Sequence, residues 1–348
     1  MTTVAANAGA EAGPGADAAG EPSYAVVVPC FNGAATLGRT LESVLALNPA
    51  PVEVVVVDDG STDGSAEIAG RHPVRLASHP RNLGVAVTRN HGAELSRSDV
   101  VCYVDADVVV PPDLIARFRD YLRDRPNCAA VTALVDPARL HPDFLSDYLN
   151  LRMHQGFRHV PRGVTTICTA CAAIRRRDLE EVGGFDDAAT RAVNDEVTVG
   201  WRMADRGLEV GVCHTLLVAH LKRMTLRRWA DKLWNEGRQW VVLARRHRRW
   251  ARSATRLPLN LRRPANVLLT AGVLGGLATA PWLGPPALLA AAGLCAAFVA
   301  VNASYLAFML RVRSLPFAAG ALLMVLLESA LHLAGMTWGL LRDRGREA

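Results

Sequence analysis

The stretch Tyr103-Val104-Asp105-Ala106-Asp107 ends the apolar run Val100–Val104 with two carboxylates one residue apart. An apolar run of this length is typical of a buried strand. Residues i and i+2 of an extended chain project from the same side, so Asp105 and Asp107 point to one place at the strand's end. One or two carboxylates in such a place commonly hold a divalent cation with bound phosphates. The pair therefore predicts a metal-assisted site, with an ordinary acidic turn as the alternative.

The sequence before this stretch alternates between strand-like and helix-like patterns. Apolar β-rich runs at Tyr24–Val28 and Val52–Val57 are each followed by a segment with helical spacing. This alternation predicts an α/β fold that is Rossmann-like, with a mostly parallel sheet and helices on both faces. Ligands of such sheets bind beyond the carboxyl ends of the strands, where Pro29–Asn32, Asp58–Asp59 and Asp105–Asp107 all fall. Three polar clusters at one sheet edge favour an active site there.

The C-terminal part of the chain is unusually apolar. The sequence as a whole is 50% hydrophobic, with a mean hydropathy of +0.14. Pro264–Leu283 and Pro285–Leu310 contain no charged residue, and Leu315–Leu341 contains one acid, Glu328, and one histidine, His332. Because a membrane helix needs about 20 apolar residues, we predict two to three transmembrane helices. A very apolar soluble helical domain is the alternative.

Two ionisable residues fall inside the third apolar segment. Glu328 and His332 lie four residues apart, which places them on one face of a helix. We expect a mutual hydrogen bond between packed helices. Contact with a polyprenyl phosphate head group or with a partner helix is the alternative, because ionisable residues inside a membrane are often functional.

Positive charge is concentrated just before the apolar segments. The net charge is +6, and Lys222–Arg263 alone contains 14 Lys/Arg and two acids. Such a segment next to a membrane span is typically cytoplasmic and close to anionic lipid head groups. Binding to nucleic acid is the other common use of basic runs, but the adjacent spans favour membrane lipids, and no nucleic-acid partner is predicted.

These patterns predict a domain order and a location. Residues 1–22 form a disordered lead without signal-peptide features, and residues 23–221 form the catalytic domain. Residues 222–263 form a basic amphipathic juxtamembrane segment, residues 264–341 the transmembrane helices, and residues 342–348 a tail. The catalytic domain is expected in the cytoplasm, attached to the inner membrane.

Further blocks of the chain resemble a known family. In order, they are Val26-Val27-Val28-Pro29-Cys30-Phe31-Asn32, then Val55–Asp63, then Asn82–Gly84 with Thr88–Gly92, then Asp105–Asp107, then Gly183–Asp186 with Asp195–Arg202. Over about residues 24–221 they resemble family-2 glycosyltransferases with the GT-A fold, and Asp105-Ala106-Asp107 stands where that family has its DxD motif. The resemblance implies a nucleotide-diphosphate-sugar donor, Mg²⁺ or Mn²⁺, and inversion at the anomeric carbon.

The same resemblance implies roles for individual residues of the donor site. The nucleotide-binding residues would be Pro29, Phe31, Asn32, Asp59 and Asp105. Asp107, together with Asp105, would hold the cation that bridges the diphosphate. The cation would neutralise the charge that develops as the diphosphate leaves.

An inverting transfer also needs a base that removes the proton of the acceptor hydroxyl. The family usually has Glu-Asp at the acceptor-side block, with the second residue as the base. This chain has Asp195-Glu196. Counting back from Gly200 places Glu196 in the base position, and Asp195 is the alternative.

The predicted function is an inverting glycosyltransferase acting on a lipid-linked or cell-envelope acceptor. A membrane-anchored enzyme that modifies a soluble peptide or small molecule is one alternative, and a non-catalytic membrane scaffold is another. Gly237-Arg238-Gln239-Trp240 does not match the Gln-x-x-Arg-Trp motif of processive polysaccharide synthases, which disfavours that class. The predicted loop Pro137–Arg162 contains no pattern from which the sugar can be read.

Overall fold

The computed structural model of the protein describes residues 20–158, 166–186, 195–246 and 262–343. The predicted lead and tail lie mostly outside these residues. The chain divides into two compact units. The first contains the chain up to His141 and Phe157–Arg223, and the second contains Pro142–Gly156 and the chain from Met224 onward. The sequence prediction placed 142–156 within the catalytic domain and did not anticipate this division.

Eight strands in the described part of the first unit form one mixed sheet. They are β1 (Tyr24–Cys30), β2 (Glu53–Asp58), β3 (Arg75–Ser78), β4 (Val100–Val104), β5 (Val108–Val109), β6 (Cys128–Val135), β7 (Cys171–Arg175) and β8 (Glu209–His220). Their order across the sheet is β3-β2-β1-β4-β7-β6-β8-β5. The first four in this order are parallel, β7 runs antiparallel to both neighbours, and β5 is antiparallel to β8. The predicted α/β, GT-A-like fold is confirmed.

The helices of the first unit cover the sheet. They are α1 (Leu37–Leu45), α2 (Ser65–Ala69), α3 (Val85–Leu95), α4 (Leu114–Arg123), α6 (Arg176–Glu181) and α7 (Asp195–Asp205). All seven residues of β1 are buried, as expected of a central strand covered on both faces. Gly92 lets α3 approach β1 closely, since a Cβ there would lie 2.2 Å from Cγ1 of Val27.

Two sequence predictions of local structure were wrong. The helical segment that follows Val52–Val57, for which the sequence predicts Ser61–Ala69, begins only at Ser65, because Gly64 has a left-handed backbone (φ 86°) that a helix does not contain. The segment Pro137–Arg162, predicted as a loop, contains helix α5 (Phe144–Arg158). The pattern was hard to recognise because α5 buries polar residues, including Asn150 and His154, along with its apolar ones.

The second unit consists of α5 and the C-terminal helices. These are α8 (Leu226–Arg246), α9 (Arg262–Leu283), α10 (Pro285–Val301), α11 (Ala303–Val312) and α12 (Leu315–Asp343). Pro264–Leu283 and Leu315–Leu341 are long and apolar enough to cross a membrane. The pair α10 and α11 also qualifies, but it is bent by 56°. The number of candidate spans, two or up to three, agrees with the prediction.

The bend falls within Pro285–Leu310, the apolar segment that the sequence predicts as one uninterrupted span. It lies at Asn302, whose side chain exchanges hydrogen bonds with Asn266 of α9: Nδ2 of Asn302 donates over 2.8 Å and Nδ2 of Asn266 over 3.2 Å. Asn302 Nδ2 also donates to the carbonyl oxygen of Phe298 over 2.8 Å. Both amides are buried, so these bonds satisfy polar groups that would be costly to leave unpaired.

Glu328 and His332 are packed between helices, but their side chains are not bonded to each other in the predicted way. Glu328 Oε1 lies 2.5 Å from Nη1 of Arg152 on α5. His332 Nε2 lies 3.2 Å from Oε2 of Glu236 on α8, and its Nδ1 lies 2.8 Å from the backbone oxygen of Glu328. The prediction missed Arg152 because α5 was not recognised as a helix.

Candidate active site

The active-site residues lie where the parallel strands end. β1 and β2 pair in register up to Cys30 and Asp58, and β4 pairs with β1 on its other side. The segments following these three strands therefore lie next to one another at the carboxyl edge of the sheet. Ligands of open α/β sheets bind at such an edge.

Asp105 and Asp107 occupy a tight turn between β4 and β5. The turn is fixed by its backbone: Asp105 N donates to Ala170 O over 3.0 Å, and Val108 N donates to Asp105 O over 3.0 Å. The two side chains remain partly accessible, with exposed fractions of 25% for Asp105 and 20% for Asp107. The pair can therefore meet a ligand.

Two basic side chains from the end of β8 face Asp107. His220 Nε2 lies 3.5 Å from Oδ1 of Asp107, and Lys222 Nζ lies 3.7 Å from its Oδ2. Burial favours the neutral carboxyl, but His220 and Lys222 outweigh it and lower the pKa of Asp107 to about 2. Burial and the charge of Asp107 act in the other direction on Asp105 and raise its pKa, against the opposing effect of Arg89.

Arg89 of α3 lies between Asp105 and the acceptor-side acid. Its Nη2 is 3.4 Å from Oδ1 of Asp105 and 3.5 Å from Oε1 of Glu196. Thr169 donates its hydroxyl to the same oxygen of Glu196. The guanidinium lies over the ring of Phe185, 5.5 Å from its centroid. Asp195 begins α7, but its side chain lies outside the described residues.

The loop after β1 is tied to the loop after β2. Asn32, which has φ 51°, accepts a hydrogen bond from Thr62 N at 2.9 Å through Oδ1 and donates its own N–H to Ser61 Oγ at 2.8 Å. Pro29 is buried in β1, whereas 49% of Phe31 is exposed. The two loops thus form one rigid wall with an aromatic ring on its surface.

The buried carboxylate of Asp59 holds the loop at residues 83–84 and the side chain of His79. Its Oδ1 accepts from Leu83 N and its Oδ2 from Gly84 N, both at 2.9 Å. His79 Nδ1 lies 2.7 Å from the same Oδ1, and His79 Nε2 lies 2.9 Å from Nδ1 of His91. With 2% of the residue exposed, Asp59 acts mainly on the protein's own loop.

The predicted site residues thus gather at one edge of the sheet, with additions. Pro29, Phe31, Asn32, Asp59, Asp105, Asp107 and Glu196 all belong to the first unit. Sequence reasoning missed the roles of His220, Lys222, Thr169 and His79. A signal existed for His220, which ends the last strand at the same edge, but Lys222 was counted only as part of the basic segment.

The residues present fit a divalent cation. Asp107 Oδ1 is buried and has no hydrogen-bond partner among the described residues, so it offers an oxygen ligand at low pKa. Carboxylate oxygens suit both Mg²⁺ and Mn²⁺. The imidazole of His220 faces that same oxygen, and an imidazole ligand would favour a transition metal such as Mn²⁺ over Mg²⁺. Within the described ranges, no three or more His, Cys, Asp or Glu side chains are grouped so that they could hold a metal ion by themselves. Other ligands would have to come from water or from a bound phosphate.

Comparison with known proteins gives consistent results. Residues 25–183 match the family "Glycosyl transferase family 2". The pre-mycofactocin glycosyltransferase of Mycobacterium tuberculosis is 28% identical over 235 residues, which cover 64% of this chain and 47% of that protein. The glucosyl-dolichyl phosphate glucuronosyltransferase of Haloferax volcanii is 29% identical over 160 residues, 43% of this chain and 51% of that protein. The chain spans about half the length of these relatives.

A solved structure supports the fold. A mannosyltransferase from Pyrobaculum calidifontis, in complex with GDP-Man and Mn²⁺, matches 91% of this chain and 88% of its own, with a TM-score of 0.57 and 20% identity. At this identity the likeness supports the fold alone. Together with the match of residues 25–183 to the family model, it shows that this chain is similar to glycosyltransferase family 2 and has the GT-A fold.

Proposed function

We propose that this protein is an inverting, metal-dependent glycosyltransferase that moves a sugar from a nucleotide-diphosphate sugar to a hydroxyl of a lipid-linked or cell-envelope acceptor. The observation that carries the proposal is the arrangement of Asp105, Asp107, Arg89 and Glu196 at one sheet edge. Asp105 and Asp107 would hold the cation. Arg89, which contacts Asp105, also contacts Glu196, a carboxylate suited to act as the base.

On the donor side, Asp107 would hold Mg²⁺ or Mn²⁺, with His220 as a further ligand and Asp105 towards the ribose or the cation. The bound cation would neutralise negative charge on the leaving diphosphate. Lys222, which is 49% exposed next to Asp107, is placed to add a second positive charge there. Phe31 offers a flat apolar surface to the base, on the wall formed with Pro29 and Asn32, while Asp59 fixes the neighbouring loop.

On the acceptor side, Glu196 would accept the proton of the attacking hydroxyl. Its carboxylate is 31% exposed and is fixed by Thr169 and Arg89, so it combines access with a defined position. Attack from the face opposite the diphosphate gives inversion. Asp195 stays the alternative base, and it adjoins Glu196 at the start of α7.

We further propose that the enzyme acts at the cytoplasmic face of the inner membrane. The candidate spans in the second unit support attachment to a bilayer, and the basic segment 222–263 supports a cytoplasmic position next to anionic lipids. A lipid-linked acceptor would lie at that surface. Two relatives are named for different acceptors, pre-mycofactocin and a dolichyl phosphate derivative, so a soluble acceptor is the second candidate.

Binding of UDP-, GDP- and dTDP-sugars to the intact protein in detergent, with and without Mn²⁺, tests the donor site. We expect one sugar nucleotide to bind in a Mn²⁺-dependent manner and to lose at least tenfold in affinity in Asp107→Asn. Asp120→Asn is the matched control, because Asp120 is exposed and its carboxylate pairs with Arg123 on the same helix, α4. Failure of every nucleotide to bind the wild type would refute the proposal.

The acceptor is tested separately with the same protein. Transfer of the identified sugar to a polyprenyl phosphate extract in vesicles, compared with transfer to soluble peptides and sugars, distinguishes the two candidates. Full rates on a soluble acceptor, with none on the lipid, would favour the second candidate. The stereochemistry of the new bond, read by NMR, tests inversion.

A further inference from the structure

Arg89 is buried between two carboxylates that belong to opposite halves of the proposed reaction. Only 4% of its side chain is exposed. One nitrogen, Nη2, lies 3.4 Å from Asp105 on the donor side and 3.5 Å from Glu196 on the acceptor side. The three residues come from different elements, since Arg89 lies on α3, Asp105 follows β4 and Glu196 lies on α7.

The two distances are informative. Charge-assisted N–H···O bonds are usually about 2.7–2.9 Å long, so Nη2 is at a full hydrogen-bond distance from neither oxygen. Nη2 therefore contacts both oxygens, each at the long end of the hydrogen-bond range, and shortening either contact requires the guanidinium to move. Because the guanidinium is shielded from water, the attraction to each carboxylate is stronger than it would be on the surface.

Neighbouring groups hold Arg89 and Glu196 in place. The guanidinium lies over the ring of Phe185 at 5.5 Å, and the hydroxyl of Tyr103 donates to the backbone oxygen of Arg89 over 3.4 Å. On the other side, Thr169 already bonds the oxygen of Glu196 that Arg89 approaches. A small shift of Arg89 therefore changes how firmly that one oxygen is fixed.

We propose that Arg89 is a positioning residue that couples occupancy of the donor site to the placement of Glu196. When a cation or a hydroxyl of the donor engages Asp105, the hold of Asp105 on the guanidinium weakens. Arg89 then moves towards Glu196 and fixes its carboxylate against Thr169. Glu196 is held in its reactive position only when the donor is bound. This order disfavours deprotonation of an acceptor while the donor site is empty.

This inference rests on the proposed function for its ligand, but it has a test that needs no ligand. Asp105→Asn removes the charge that competes for Arg89, as a bound cation would. We expect hydrogen–deuterium exchange of α7, residues 195–205, to slow by roughly fivefold or more in Asp105→Asn relative to the wild type. In Arg89→Met the same Asp105→Asn change should leave exchange of α7 unaltered. An equal effect of Asp105→Asn in both backgrounds would overturn the coupling.

A second arm uses Mn²⁺ together with UDP, GDP or dTDP on the intact protein in detergent. In the wild type we expect slower exchange both at residues 100–109 and in α7. In Arg89→Met the effect at 100–109 should persist and that in α7 should vanish. Arg89→Lys keeps the positive charge on a shorter side chain with a single nitrogen. It should restore part of the slower exchange in α7. Loss of both effects in Arg89→Met would assign Arg89 to donor binding and overturn the positioning role.

Thr169→Val controls for general loosening of α7. It removes one described partner of Glu196, the Thr169 hydroxyl, but leaves Arg89 in place, so basal exchange should rise while the response to Asp105→Asn persists. If no nucleotide slows exchange at 100–109 in the wild type, the proposed donor site fails, and the ligand-free comparison still decides the coupling.

Discussion

Replacing Gly92 by alanine is expected to push α3 away from β1. A Cβ at Gly92 would lie 2.2 Å from Cγ1 of Val27, whereas carbon atoms pack at about 3.5–4.0 Å. Forced contacts of this kind cost about 1–3 kcal/mol, and alanine in a helix recovers about 0.5–1 kcal/mol relative to glycine. Because the overlap is severe and the methyl groups of Val27 are enclosed in the core, we expect a net loss of about 2 kcal/mol in the free energy of unfolding.

The measurement is pulse proteolysis of the intact chain in detergent across a urea series. With a slope of about 2 kcal/mol per M, the midpoint of Gly92→Ala should fall by about 1 M. Arg89 lies one turn earlier on α3, so Mn²⁺-dependent nucleotide binding should weaken as well. Gly156→Ala is the matched control, because nothing lies within 4 Å of a Cβ at that helical glycine.

Val27→Ala supplies the decisive comparison. Alone it opens a cavity, which should cost about 2 kcal/mol. In the double variant Val27→Ala/Gly92→Ala, the new methyl group occupies the vacated space, so the two losses should fall short of adding by about 2 kcal/mol. Additive losses, or an unchanged midpoint for Gly92→Ala, would refute the described contact between α3 and β1.

Two further predictions concern titratable groups of the first unit. Burial, and then the neighbouring His79, lower the pKa of His91, so the unfolded chain binds the extra proton more readily and stability should fall as the pH drops below about 6.5. The urea midpoint of the wild type should therefore fall between about pH 7.5 and about pH 5.5. This fall should be less steep in His91→Gln and the same as in the wild type in His214→Gln, which changes an exposed histidine. Equal slopes in all three proteins would contradict the prediction. Burial also raises the pKa of Cys30 to about 11 and that of Cys168 to about 12. N-ethylmaleimide at about pH 8 should therefore spare both thiols until urea is added, as read by mass spectrometry. Labelling of Cys168 in the folded protein would show that its surroundings open without unfolding.

Local patterns predicted the elements whose sequence and surroundings agree. The sequence pattern predicts a helix over Val85–Leu95 and a strand over Val100–Val104, and the structure contains both elements with these bounds. Each is a run whose burial follows from its own residues, either the helical spacing of α3 or the uninterrupted apolar run of β4. The edge at which the three polar clusters meet also followed, because parallel strands end on the same side.

Features that depend on distant partners were not predictable in the same way. The antiparallel direction of β7 is decided by its two neighbours, β4 and β6, and no residue within β7 encodes it. Helix α5 buries charged residues that are paired only in the folded unit: Asp147 accepts two hydrogen bonds from Arg313, each 2.7 Å long. From sequence alone, such a helix has too many polar residues on its buried face to be recognised.

The two aspartates with which the site begins are chemically unequal, although the sequence presents them as a pair. His220 and Lys222 hold the pKa of Asp107 low despite its burial, so Asp107 is a ready carboxylate ligand at any physiological pH. Burial and the nearby charge of Asp107 raise the pKa of Asp105, so Asp105 gains most from a positive group that joins the site. Asp105, whose ionisation would respond most to a bound cation, is also the residue that shares Arg89 with Glu196. In the proposed mechanism Asp107 would bind the cation and Asp105 would respond to it, which would give the two acids and the arginine separate roles at one site.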